Sequence, residues 1–141
     1  REHSREVQLP FLLATLGEFT LVPVVVGGAT PDEVALLLRE VWGGEETLVV
    51  VSSDLSHFLP YEAARRRDRG TAEAITALAP RLEPEDACGA APVNGLLVVA
   101  RQRGLEAELV DLRNSGDTAG GRNQVVGYGA FVFREREADH A

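Results

Sequence analysis

The stretch Val49-Val50-Val51-Ser52-Ser53-Asp54-Leu55-Ser56-His57 decides how this chain is read. Its first three residues are β-branched and apolar, as in a strand buried on both faces. The run then empties into a small polar loop that carries a carboxylate and an imidazole. In an open α/β sheet, ligands and chemistry collect at the carboxyl ends of the strands. Asp54 and His57 in such a loop are therefore candidates for acid–base work or metal ligation. The plainer alternative is an aspartate that caps the next turn, with a solvated histidine behind it.

Outward from that loop the chain alternates. Thr47 to Ser52 reads as a strand, and Phe19 to Val26 as an earlier one, apolar nearly throughout. Between them, Thr30-Pro31-Asp32-Glu33 spells a helix start: an N-cap threonine, a proline at the first position and a glutamate placed for a capping box. That helix is expected from Pro31 to Val41, stopping near Gly43-Gly44. Ser4 to Leu16 also reads helical, although Pro10 should end, restart or kink it. Downstream, a polar, alanine-rich helix is expected from about Tyr61 to Leu78. Another should run from Pro92 to Arg103, with Gly104 as its stop. Glu106 to Leu112 and Gln124 to Phe133 complete the strands, joined by a loop from Asn114 to Gly121. The order β-α-β-α-α-β-β predicts an α/β fold with a mostly parallel or mixed central sheet flanked by helices, ending in an antiparallel, hairpin-like pair. Residues 1–133 are expected to form one domain, and 134–141 a charged tail.

Composition narrows the function classes. The 141 residues carry a net charge of −8, and the fourteen basic residues are all arginine. No basic stripe is available to neutralise phosphates, which argues against nucleic acid. The cluster Arg65-Arg66-Arg67 with Arg69, beside Asp68, reads as the solvated face of a helix. No apolar run approaches the ~20 residues of a membrane helix, and no signal-peptide pattern opens the chain. A single cysteine excludes an internal disulfide and points to a reducing, cytoplasmic setting. There is no methionine, which suggests a trimmed or partial chain. Neither a GxGxxG fingerprint nor a Walker A sequence occurs, so nucleotide binding has no support.

Two further places carry chemistry-bearing side chains. Cys88-Gly89 precedes the helix expected at Pro92, where the positive end of the helix dipole favours thiolate. A thiolate serves as nucleophile or metal ligand; the alternative is a buried structural cysteine. Glu2-His3-Ser4 sets a carboxylate beside an imidazole at a helix start, a weaker signal that capping explains equally well. His140, in the charged tail, is set aside.

Six motifs in order then resemble the Memo family, called AmmeMemoRadiSam system protein B in prokaryotes. They are Glu2-His3-Ser4-x-Glu6-x-Gln8-Leu9-Pro10-Phe11, Val22-Pro23-x-x-Val26-Gly27, Ser52-Ser53-Asp54-x-Ser56-His57, Cys88-Gly89 with Pro92, Ser115-Gly116-Asp117, and Val126-Gly127-Tyr128. Memo proteins are similar to the catalytic subunit of class III extradiol dioxygenases, which cleave catechol rings with a non-haem metal. The resemblance implies an α/β sandwich with a metal-type pocket. It makes Cys88 a metal ligand, gives Asp54 and His57 catalytic places in the pocket, and assigns Glu2, His3 and Ser4 to substrate binding. In the dioxygenase relatives the matching histidine is a general acid–base.

The departure is equally plain. The family's other metal ligands are histidines in PHAGY-like and GPxH-like motifs of an N-terminal half, and neither motif occurs here. The chain resembles the C-terminal half of the fold. The resemblance thus implies iron, copper or zinc in a full-length protein. With Cys88 and His57 as at most two good ligands, no tight metal is expected in this chain alone. An incomplete sheet should leave an apolar edge for a missing half or a second copy. The family name also implies AMMECR1-like and radical SAM partners. Three functions compete: a metal-dependent, dioxygenase-like oxidoreductase, a non-catalytic binding or adaptor protein using the same pocket, and a metal-free Cys88–His57 nucleophilic site.

Overall fold

The computed structural model describes residues 4–118 and 120–136. Four α-helices and three strands follow in the order α1 (Ser4–Leu16), α2 (Pro31–Val41), β1 (His57–Leu59), α3 (Tyr61–Thr76), α4 (Ala90–Arg103), β2 (Leu105–Asn114) and β3 (Val125–Glu135). The sheet order is β1-β3-β2, and both pairings are antiparallel. No helix among the described residues is long and apolar enough to cross a membrane.

Where the signals are local, the chain obeys them. Thr30 Oγ1 accepts the Glu33 amide at 3.3 Å, and the Glu33 carboxylate accepts the Thr30 amide at 2.8 Å. Those bonds fix the start of α2 and hold the Glu33 carboxyl below the usual carboxylate range. Gly104 stops α4 with a left-handed φ of 69°. α1 runs through Pro10, forgoing one ladder bond there. α4 starts at Ala90, two residues ahead of Pro92. α3 ends at Thr76, because Leu78 adopts a left-handed φ of 51° and turns the chain. The terminal hairpin is present, and β3 continues through Glu135.

The mostly parallel sheet is not present among the described residues. Residues 19–26 and 47–52 join no ladder. β-branched side chains favour an extended backbone, but a strand also needs neighbouring N–H and C=O groups to pair with. Burial on both faces fails with the ladder: Val22 is 72% exposed and Val25 66%. The second run still alternates as a strand would. Val49 and Val51 pack on the helices while Leu48 and Val50 stay open.

The core is built around α4. Its Leu96 and Val99 meet Val34, Ala35 and Leu38 of α2 in one cluster. Leu97 meets Ala74 and Ile75 of α3, with Leu82, in a second. Phe133 of β3 packs against both clusters. Buried Asn94 of α4 pins the incoming loop: its side chain accepts the Leu82 amide at 3.0 Å and donates to the Leu82 carbonyl at 2.9 Å. Two backbone groups that would otherwise be buried unpaired are thereby satisfied.

α2 and α4 approach closely at Gly95. A Cβ there would lie 2.5 Å from Val34 Cγ1 and 3.0 Å from the Pro31 carbonyl oxygen. Alanine in a helix interior gains about 1 kcal/mol over glycine, whereas overpacking costs about 1–3 kcal/mol. The Pro31 carbonyl belongs to the backbone and cannot rotate away, so the steric cost wins. Gly95→Ala is expected to lower the urea midpoint, and an unchanged or raised midpoint would refute this account. Leu97, fully buried, should lose about 2–5 kcal/mol as Leu97→Ala in the same unfolding assay.

Candidate metal centre

The loop of residues 53–57 is hung between β3 and the start of α4 by its own backbone. Leu55 N–H donates to the Gly127 carbonyl at 2.9 Å, and Gly127 N–H donates to the Ser56 carbonyl at 2.8 Å. On the other side, Cys88 N–H donates to the Asp54 carbonyl at 3.3 Å. Ser53 Oγ accepts the Gly89 amide at 2.8 Å and donates to the Asp54 carbonyl at 2.7 Å. A Cβ on Gly89 would sit 2.8 Å from Ser53 Cβ, so this close approach requires glycine. Segments 53–57 and 88–89 are thus clamped together before any side-chain chemistry is considered.

The clamp brings three donor atoms together. A carboxylate oxygen of Asp54, a ring nitrogen of His57 and the Cys88 sulfur all lie within 4.8 Å of one another. His57 Nε2 is 3.2 Å from Asp54 Oδ2, and Cys88 Sγ is 3.6 Å from Ser53 Oγ. The Asp54 side chain is 49% exposed and that of His57 33%; Cys88 is exposed as well. The site is therefore a rim open to solvent. A nearby surface groove of about 290 Å³, lined by Arg66, Arg67, Arg81 and Asp86, contains none of the three donors.

Backbone strain sits beside the imidazole. Phe58 has a left-handed φ of 58°, in a conformation that costs a bulky residue on the order of 1 kcal/mol or more. It is the extra residue in the β1–β3 register, where His57 pairs with Val126 and Leu59 with Val125. The bulge turns the Phe58 side chain outward and leaves the His57 side chain only partly covered.

The expected site residues fall out unevenly. Asp54, His57 and Cys88 converge, and Asp54 raises the count of convergent donors from the expected two to three. Glu2 and His3 lie outside the described residues, as does the side chain of Ser4. Asp68, which stands beside the arginines read as a solvated face, is itself buried at 2% exposure. Its Oδ1 accepts the Ser56 amide at 3.0 Å. Burial pushes its carboxyl above the usual range, against the pull of that amide. The Ser56 hydroxyl is buried with no hydrogen-bond partner among the described residues. Sequence gave one overlooked signal for Asp68: its i, i+4 and i, i+3 spacing from the buried Ala64 and Thr71.

The Ser115-Gly116-Asp117 motif serves structure. Asn114 and Asp117 cap each other reciprocally across a short 3-10 turn. Tyr61 donates its hydroxyl to Asp117, which holds the Asp117 carboxyl low and the Tyr61 phenol high. Arg122 lies 4.4 Å over the Tyr61 ring and completes the knot.

Comparison with known proteins agrees with the family resemblance of the sequence. The Memo-like protein family matches residues 1–132. A MEMO1 family protein of Archaeoglobus fulgidus is 38% identical over 94% of this chain and 55% of its own length. One from Methanopyrus kandleri is 40% identical over 94% and 52%, and one from Aquifex aeolicus 35% over 94% and 54%. The chain spans about half the length of these curated relatives. On the match across residues 1–132, the chain belongs to the Memo-like protein family.

Proposed function

We propose that Asp54, His57 and Cys88 hold a divalent metal ion, and that the chain carries this part of a metal-dependent oxidoreductase of the dioxygenase-like type. The observation that carries the reading is the convergence of three chemically different donors within 4.8 Å on segments clamped backbone to backbone. Ligands of a zinc-sized ion sit about 2.0–2.3 Å from it, so donors this close reach a common ion by small side-chain rotations. The mixture of oxygen, nitrogen and sulfur suits zinc, iron or copper and not calcium or magnesium. Three protein ligands with one side open is the pattern of catalytic sites rather than of closed structural ones. A bound ion of this kind supplies Lewis acidity, and with iron or copper also electron transfer. The chain itself supplies a thiol near the start of α4 and a carboxylate–imidazole pair able to hold a proton between Asp54 Oδ2 and His57 Nε2.

The 3.2 Å contact between His57 and Asp54 favours one second reading. Here Cys88 anchors the ion, while Asp54 orients His57 as a general acid–base.

Cobalt(II) titration separates these readings. The parent chain is expected to develop a thiolate-to-cobalt absorption that Cys88→Ser abolishes. If all three residues are ligands, His57→Gln and Asp54→Asn weaken cobalt binding too. If the pair is acid–base, both variants keep cobalt affinity and lose only turnover. No thiolate band in the parent, or an unchanged titration in Cys88→Ser, sinks the metal centre and leaves a binding protein.

A further inference from the structure

We infer that Asp68 is a positioning residue for this centre: its buried carboxylate on α3 fixes the loop that aims Asp54 and His57 toward Cys88. The consequence for metal binding rests on the proposed centre, whereas the geometry stands by itself. Ser56 lies between Asp54 and His57, and both of its main-chain polar groups are held. Its N–H donates to Asp68 Oδ1 at 3.0 Å, and its carbonyl accepts from Gly127 at 2.8 Å. Asp68 Oδ2 occupies the space that a Cβ on Gly127 would need. Carboxylate, loop and β3 are therefore packed backbone to side chain with no room between them.

This arrangement is costly unless it has a use. A carboxylate buried in a helix face, with no ion pair to it among the described residues, destabilises relative to a small apolar residue. The other buried positions of α3 are Ala64, Thr71, Ala72, Ala74 and Ile75, none of them charged. The hydrogen bond to Ser56 is what the carboxylate contributes. Ligand and acid–base groups need placement within about 0.5 Å to work, and fixing Ser56 fixes the departure of the residues around it.

The test compares Asp68→Ala with Asp68→Asn, which keeps a carbonyl acceptor at the same place. Folding is checked first by circular dichroism and urea unfolding. In the metal-free chain, the ring nitrogens of His57 are followed by 15N NMR, with His57→Gln for assignment. Asp68→Ala is expected to shift these signals toward an averaged mixture of tautomers, and Asp68→Asn to restore them. In the cobalt titration, Asp68→Ala should bind about 10–100-fold more weakly, the usual effect of losing a residue behind a ligand, with Asp68→Asn close to the parent. Unaltered His57 signals in folded Asp68→Ala overturn the inference. If the parent takes no cobalt through Cys88, the metal centre falls while the His57 signals still decide the positioning role. If Asp68→Ala fails to fold, Gly127→Ala displaces the same carboxylate from the other side, and unaltered His57 signals there overturn the inference equally.

Discussion

β3 carries the antiparallel pairing that the remaining parts of the molecule lean on. Its ladder with β2 runs from Leu105–Glu135 to Asn114–Gly127, and its first residues bond the loop that leads into β1. Phe131 and Phe133, on the same strand, reach the apolar clusters organised by α4. The strand thereby sets the distance between the helical core and the loop of residues 53–57. A register shift of one residue would turn every side chain on β3 to the opposite face. It would also withdraw Gly127 from Leu55 and Ser56. The three donor side chains are thus placed by a strand that contributes none of them.

Much of this was legible in the sequence, because the signals were local. The Thr30–Glu33 capping box, the Gly104 stop and the β-branched terminal pair each act through neighbours a few residues away. The candidate chemistry was legible as residue types: an aspartate and histidine after an apolar run, and a cysteine ahead of a helix. What was not legible depends on distant partners. Residues 19–26 and 47–52 have strand composition, but composition does not say what lies alongside. The left-handed Phe58 has no local cue, since nothing about phenylalanine asks for that conformation. Asp68 was hidden by its company: four arginines around one aspartate look solvated until the helix is docked and its i, i+4 face turns inward.

The open side of residues 21–25, with Leu48 and Val50, is a physical property of the chain as it stands. Scattered apolar side chains on a surface need no explanation, but here they concentrate on two strand-like segments that join no ladder. Leu48 and Val50 and the donors Asp54 and His57 lie at successive stretches of the same segment, residues 47–57.

The packing of Asp68 against Gly127 also constrains how the sequence can drift. A side chain at position 127 is excluded only while a carboxylate fills that space, and the carboxylate is useful only while the Ser56 amide stands before it. Two positions far apart in the chain therefore behave as one inherited unit. A change at 127 is damaging on a background with aspartate at 68 and mild on a background where 68 has already become small. Their substitution effects do not add, as expected for residues in direct contact.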